Sequence, residues 1–314
     1  MSVIIPTYNR ARFVVQAIDS VLAQSLPAHE VIVVDDGSTD DTSAVLAGYG
    51  TCIRRVTQRN QGVAAARNNG ACVASGEWLA FLDSDDIWMP CKLERQLERV
   101  VAEPSLGLVH CAYEQVDVAG RPLGQQLDGL EGWVASELLL FRRPVISALS
   151  TVMIPRRVFE DVGRFDPDRR LAPSEDFDLY YRIARRYKVG FVPEVLVKYR
   201  LHGGNAHLNV RRMAQAMLLI YRQIFDSAAP EVRGRRRKAY GNLHRMLAGS
   251  MFRAKRPDRF LRHAFLSLWL TPENMTWFIG RAVRWLWRLT RRERSGQPMA
   301  ADGLCLSSTL PADQ

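Results

Sequence analysis

The chain is poor in cysteine, has no long apolar run, and shows no glycine cluster near its start. Its five cysteines, Cys52, Cys72, Cys91, Cys111 and Cys305, are scattered, odd in number and never spaced C-x-x-C. That argues against a disulfide framework or a zinc site and suits a reducing cytoplasm. No stretch of about 18 apolar residues occurs, so no transmembrane helix is expected. The densest candidate, Leu261 to Leu289, is broken by Arg262, His263, Glu273, Arg281, Arg284 and Arg288. Met1 is followed at once by Val3-Ile4-Ile5 and Pro6 with no charged leader, so a signal peptide is not expected either. Pro6 to Arg12 lacks glycine altogether. This removes the G-x-G-x-x-G of a Rossmann dehydrogenase and the Gly-rich phosphate loop expected of a nucleotidyltransferase.

What is present is an ordinary globular composition, 47% hydrophobic and 24% charged over 314 residues. That length suits one large α/β domain with a tail, or two domains. The net charge of +10 is unevenly placed. From Asn205 onward there are 20 Lys and Arg against 7 Asp and Glu, whereas the preceding part holds 23 against 26. An acidic-to-neutral body with a basic tail implies separate jobs for the two.

The first hundred residues alternate strand and helix patterns. Strands are expected at Ser2–Tyr8, Val31–Val34, Ile53–Thr57 and Trp78–Leu82. Helices are expected through Phe13 to Leu22, from Asp40-Asp41-Thr42 to Leu46 with Gly48 as a stop, and over Val63–Ala74. The alternation predicts a mainly parallel sheet covered on both faces, with ligands bound beyond the carboxyl ends of its strands. Those ends carry Pro6-Thr7-Tyr8, Asp35-Asp36 and Asp83-Ser84-Asp85-Asp86. Further on come a helix at Lys92–Val101, strands at Leu106–Val116, Ser150–Ile154 and Phe191–Tyr199, and an amphipathic helix at Phe177–Tyr187. From Met213 the pattern is helical and basic, and Ser295–Gln314 is small and polar, as a disordered tail would be.

Each polar cluster has a plain reading and a chemical one. Asp83-Ser84-Asp85 offers oxygen ligands of the kind Mg²⁺ or Mn²⁺ takes together with substrate phosphates. The plain alternative is an Asp-rich turn capping a helix that begins near Pro90. Asp35-Asp36-Gly37 is either a common turn or a carboxylate that accepts from a base N–H. Tyr8 is either a core aromatic or a stacking platform for a base. Arg67 is either a solvated charge or a phosphate ligand. Glu175-Asp176 before the helix is either a favourable pairing of acidic residues with the helix dipole or a general base for a hydroxyl.

Together these segments resemble the family 2 glycosyltransferases, which have the GT-A fold. The likeness begins with Val3-Ile4-Ile5-Pro6-Thr7-Tyr8-Asn9-Arg10 and Val34-Asp35-Asp36-Gly37-Ser38-Thr39-Asp40. It continues through Asn60-Gln61-Gly62-Val63-Ala64-Ala65-Ala66-Arg67-Asn68 and Phe81-Leu82-Asp83-Ser84-Asp85-Asp86. Gly163-Arg164-Phe165-Asp166, Ser174-Glu175-Asp176-Phe177-Asp178 and Tyr199-Arg200-Leu201-His202 follow, in the family's order, over roughly the first 205 residues. One departure is Arg164, where a second glycine is common; it affects a turn rather than chemistry.

The resemblance implies an inverting transferase that moves a sugar from a nucleotide diphosphate donor, UDP or dTDP, to an acceptor hydroxyl. Pro6, Thr7 and Tyr8 would line the base pocket, Asp36 would bond the base, and Arg67 would lie near the nucleotide. Asp83 and Asp85 match the D-x-D, Asp83 near the ribose and both at the Mg²⁺ or Mn²⁺, with His202 a further ligand to metal or diphosphate. Asp176 matches the catalytic base and Glu175 its neighbour at the acceptor. The implied organisation is a GT-A domain over 1–204, with a nucleotide half to about 105 and an acceptor half from 106. A basic helical extension over 205–294 and a disordered 295–314 would complete it. A glycan or lipid-linked acceptor in cell-surface polysaccharide or glycolipid synthesis is expected. The alternatives are a non-catalytic sugar-nucleotide-binding module on the same fold, or a nucleotidyltransferase.

In Trp277–Arg292 the residues Arg281, Arg284, Arg288, Arg291 and Arg292 fall in one wedge of roughly 100°, beside Phe278, Ala282, Trp285, Leu286 and Leu289. This pattern predicts either an interfacial helix, which would put the chain on the inner face of the cytoplasmic membrane, or a helix docked on the catalytic domain with its arginines in water. The basic run Arg233 to Lys238 has no accompanying nucleic-acid motif, and no nucleic-acid partner is expected.

Overall fold

A computed structural model describes residues 1–141, 146, 148–205, 208–281 and 283. The chain divides into two compact units. One comprises residues 1–138 with the described residues from 146 to 208, and the other comprises 139–141 and 209–283.

The first unit begins with β1 (Ser2–Thr7), α1 (Ala11–Leu22), β2 (Glu30–Asp35), α2 (Thr42–Ala47), β3 (Arg54–Thr57), α3 (Val63–Val73) and β4 (Trp78–Phe81). Every residue of β1 is buried. It is central and covered on both faces, so its β-branched run shows no alternation. In α1, Val14, Ala17, Ile18 and Val21 turn inward at helical spacing. Strands β3, β2, β1 and β4 pair in parallel, with Thr7 beside Asp35 and Ile4 beside Phe81. The carboxyl ends of these strands therefore meet along one edge.

The unit continues with β5 (Ile87–Trp88), α4 (Lys92–Ala102), β6 (Leu106–Val116), β7 (Pro122–Gln126), α5 (Ala135–Leu140, whose last two residues belong to the second unit), β8 (Met153–Pro155), α6 (Arg156–Asp161), α7 (Glu175–Ala184) and β9 (Lys188–Arg200). The sheet order is β3-β2-β1-β4-β8-β6-β9-β5, with β7 on β6. Here the pairing turns mixed: β8 runs antiparallel to β4 and β6, while β6 and β9 are parallel. The parallel arrangement expected from the sequence holds in the first half, and antiparallel strands extend it.

Two differences from the sequence expectation bear on the site. Leu149–Thr151 form a 3-10 turn rather than the start of a strand. Helix α7 starts at Glu175, so the acidic pair lies in its first turn instead of preceding it. Nor do the aspartates cap a helix near Pro90. β5 intervenes, and α4 begins at Lys92 without a side-chain cap.

The second unit is helical: α8 (Val210–Asp226), α9 (Pro230–Arg233), α10 (Arg236–Arg253) and α11 (Pro257–Leu270). Tyr221 and Asn242 donate to the carbonyls of Leu139 and Leu140, and His244 and His263 join α10 to α11 through nitrogens 2.9 Å apart. Among the described residues no helix is long and apolar enough to cross a membrane. Of the basic Trp/Arg stretch, Trp277, Phe278 and Arg281 are described, with the Arg281 guanidinium 5.0 Å from the Trp277 ring. Ala282 and residues 284–292 lie outside the described residues, as does 295–314.

Candidate active site

The strand ends form the floor of the site, and two loops tie them together. Asn9 takes a positive φ of 52°. Its side chain accepts from the Thr39 N–H at 2.7 Å, while its own N–H donates to Ser38 Oγ at 2.9 Å. The loop after β1 is thereby laced to the loop after β2. Pro6 and Thr7 are buried at the end of β1, whereas Tyr8 is exposed. Tyr8 is thus a surface aromatic, not a core one.

Asp36 is buried, and its carboxylate organises the next loop. Oδ1 accepts from Gln58 Nε2 at 2.7 Å and from the Gln61 N–H at 2.8 Å, and Oδ2 accepts from the Gly62 N–H at 2.9 Å. Gly62 makes this possible with a φ of 94°, a conformation that favours glycine, and it opens α3 directly. One helical turn beyond Arg67, Gly70 lets α3 sit against the sheet: a Cβ there would lie 2.6 Å from Ile4 Cγ2. This close seating carries Arg67 into the interior.

Arg67 is buried between two carboxylates. Nη1 donates to Glu175 Oε1 at 2.7 Å and Nη2 to Asp83 Oδ1 at 2.6 Å, with the Phe165 ring 5.3 Å from the guanidinium. Burial works to lower its pKa, but the charges of Asp83 and Glu175 outweigh burial and hold it above the ordinary arginine value. Asp83, Glu175 and Asp176 are thus gathered around one cation, although Asp83 lies more than ninety positions before the other two.

Glu175 is spent on this ion pair, and Asp176 has no ion-pair partner among the described residues. Among the described residues its Oδ1 accepts from the neighbouring Phe177 N–H alone, at 2.7 Å. Burial first, and then the charge of Glu175, raise its carboxyl to about 7, against a smaller opposing pull from Arg67. A carboxyl poised there exchanges protons readily near neutral pH.

Across the strand edge, Asp85 Oδ2 lies 2.8 Å from His202 Nε2, and Arg10 Nε stands 3.9 Å away. His202 stacks on Phe13 with centroids 5.1 Å apart. The neighbouring Asp86 is buried and structural. It accepts from Ser150 Oγ at 2.6 Å and from the Arg200 N–H at 2.9 Å, and burial, then Asp85 and Asp83, raise its carboxyl well above the usual range. Ser150 Oγ also accepts the Asp83 N–H at 3.1 Å, which fixes the turn that presents Asp83 and Asp85.

The Asp85 carboxylate is a donor suited to Mg²⁺ or Mn²⁺, and an imidazole nitrogen beside it fits Mn²⁺ better than the harder Mg²⁺. Asp83 is turned toward Arg67 instead. Among the described residues no third His, Cys, Asp or Glu completes such a set. The fit is therefore that of a two-residue site finished by substrate oxygens and water.

Six buried side-chain polar atoms lack a partner among the described residues, and four belong to Thr7, Arg67, Glu175 and Tyr180. Unpaired buried polar groups are costly and call for an explanation. Their concentration around this edge marks where a ligand's polar groups would fit. Tyr180 was not among the expected site residues. It carries a buried hydroxyl one turn after Asp176, and only burial in the fold reveals it. Arg10, Ser150 and Arg200 were also missed, although Arg10 and Arg200 stand inside the recognisable segments.

The sequence profile described as Glycosyl transferase family 2 matches residues 2–158. A putative teichuronic acid biosynthesis glycosyltransferase, TuaG of Bacillus subtilis, is 32% identical over 229 residues, covering 71% of this chain and 88% of TuaG. An uncharacterized glycosyltransferase of Nostoc is 34% identical over 223 residues, 67% of each chain. The chain spans 64% of the length of relatives in Rickettsia prowazekii and Rickettsia typhi, and about a third of one in Rickettsia bellii. In three dimensions, Staphylococcus aureus TarS in complex with UDP-GlcNAc superposes with a TM-score of 0.57 at 18% identity, over 82% of this chain and 88% of that one. The mannosyltransferase PcManGT of Pyrobaculum calidifontis, in complex with GDP-Man and Mn²⁺, gives 0.59 at 21% identity, over 90% and 79%. These likenesses show the GT-A fold with its helical C-terminal region, and the profile together with the relatives shows that the chain belongs to glycosyltransferase family 2.

Proposed function

We propose that the protein is an inverting, metal-assisted glycosyltransferase that moves a sugar from a UDP or dTDP donor to an acceptor hydroxyl. The observation that carries this reading is Asp176: a carboxyl raised to about 7, without an ion-pair partner, next to a Glu175 already held by Arg67. Asp176 takes the proton of the acceptor hydroxyl. The freed oxygen lone pair forms the bond to the anomeric carbon as the bond to the diphosphate breaks, and that electron pair leaves with the nucleoside diphosphate. Attack and departure on opposite faces invert the configuration.

Pro6, Thr7 and Tyr8 line the base pocket in this reading, and Asp36 bonds the base. Arg67 and Asp83 stand at the ribose and diphosphate, and Glu175 is the carboxylate nearest the acceptor beside Asp176. A divalent cation held by Asp85 and His202 would supply charge neutralisation for the departing diphosphate. The UDP-GlcNAc complex of TarS and the GDP-Man complex of PcManGT support a nucleotide-sugar donor, and the name of TuaG, a teichuronic acid biosynthesis glycosyltransferase, supports a role in cell-surface polysaccharide synthesis.

The test is thermal unfolding of the purified chain with UDP, dTDP and GDP, each with and without Mn²⁺. Ligand at about 100 times its Kd adds roughly 2.7 kcal/mol of stability. A Mn²⁺-dependent shift with UDP or dTDP is expected. A shift with GDP alone would replace the donor, and no shift with any nucleotide would sink the reading.

A further inference from the structure

Helix α11 buries His263 and Ser267 and turns three large apolar side chains to solvent. Leu261, Phe265 and Trp269 are 65%, 67% and 67% exposed. Their i, i+4, i+8 spacing places them in one stripe spanning about 80° of the helix. The helical run over 275–281 has the same spacing, with Met275 and Ile279 exposed and Val283 exposed beyond it. Phe252, at the end of α10, is exposed as well. Single exposed apolar residues need no account, but two rows of them mark a contact surface.

Charge decides what covers it. Residues 209–283 hold 15 Lys and Arg against 4 Asp and Glu, with Arg262 bordering the α11 stripe and Arg256 and Arg259 at its start. A second copy would bring the same positive excess against itself. The stretch 284–294 carries five arginines and one glutamate, so it too brings like charge. An anionic bilayer brings the opposite sign, and its interface accommodates Leu, Phe and Trp beside arginines.

We propose that α11 is a membrane-docking face, with Leu261, Phe265 and Trp269 entering the headgroup region of an anionic lipid surface. This face is distinct from the Trp277–Arg292 pattern singled out in the sequence. It stands independently of the sugar-transfer reading, since vesicle binding requires no turnover.

The experiment is co-sedimentation of the full chain with phosphatidylcholine vesicles, with and without phosphatidylglycerol, at low salt. Phe265→Ser/Trp269→Ser and Leu261→Ser are the variants, with thermal unfolding of each as a check on the fold. Binding is expected only with phosphatidylglycerol and should weaken as salt screens it. The double variant should bind about a hundredfold more weakly with an unchanged melting temperature, because each of the two lost apolar side chains removes an amount comparable to one decade. Three results overturn the proposal: no binding to either vesicle, equal binding by the double variant, or a lipid-free dimer that the double variant dissociates. None of them bears on the nucleotide shifts, so the two readings fail separately.

Discussion

Arg67 and Glu175, 108 positions apart in the chain, form a buried ion pair at 2.7 Å. This contact joins α3 of the nucleotide half to α7, which carries the proposed base. Truncating the arginine leaves a buried carboxylate uncompensated, a change that typically costs about 3–5 kcal/mol. Arg67→Ala should therefore lower unfolding stability by that order in urea titration. Arg67→Lys should recover only part of it, since one ammonium cannot reproduce the fork that reaches Asp83 and Glu175 together. Wild-type stability in Arg67→Ala would mean the pair is not buried as described.

Asp176 makes two predictions of opposite sign. As a base it must be deprotonated, so kcat/KM should rise with pH and level off above about 7. Asp176→Asn should abolish that limb and reduce turnover by about 10²–10⁴ while leaving UDP binding intact. For stability, the folded carboxyl keeps its proton to a higher pH than the unfolded one, whose ordinary value is 3.8. That contribution is full below 3.8 and lost as pH rises through about 7. Asp176→Asn should accordingly melt higher than wild type at about pH 8 and alike at about pH 4.

Asp85 and His202 should behave as a pair. Asp85→Ala is expected to remove the Mn²⁺-dependent part of the UDP thermal shift, and His202→Ala to weaken it. Isothermal titration with Mn²⁺ in the presence of UDP reads both, and unchanged Mn²⁺ affinity in Asp85→Ala would move the metal elsewhere.

Lys92 is fully buried and has no carboxylate partner among the described residues. Its Nζ lies 3.8 Å from the Trp88 ring centre and donates to Gln96 Oε1 at 2.6 Å. Burial lowers it to about 8 from 10.5. Between those values the unfolded chain holds more protons than the fold, so stability contributed by this residue rises with pH. The melting temperature of wild type should thus gain on that of Lys92→Met from about pH 8 to 10.5. The slope is diagnostic, because the loss of a donor to Gln96 shifts the offset. Parallel profiles would show that Lys92 does not titrate in that window.

The sequence by itself determined the first half of the fold. Buried β-branched runs such as Val3-Ile4-Ile5 have no alternation to misread, and α1 repeats its apolar face at helical spacing. The same local rules singled out the clusters Asp35-Asp36, Asp83-Ser84-Asp85 and Glu175-Asp176, because runs of carboxylates at element ends are visible in a linear string; the family resemblance then assigned roles within them. The local rules failed at Ser150–Ile154, where a 3-10 turn precedes a strand of three residues and the apolar run reads alike in either state. They also failed at the start of α7, since acidic residues suit both the flank and the first turn of a helix.

Only tertiary structure decided what each carboxylate does. Asp83 and Asp85 are two positions apart, yet one meets Arg67 from α3 and the other meets His202 beyond β9. Glu175 and Asp176 are adjacent, yet Arg67 neutralises the first and burial raises the second. Desolvation and ion pairing depend on neighbours far apart in the chain, and no local pattern encodes them. The α11 stripe is the converse case: its spacing is plain in the sequence, but an apolar row reads as core until the fold leaves it facing water.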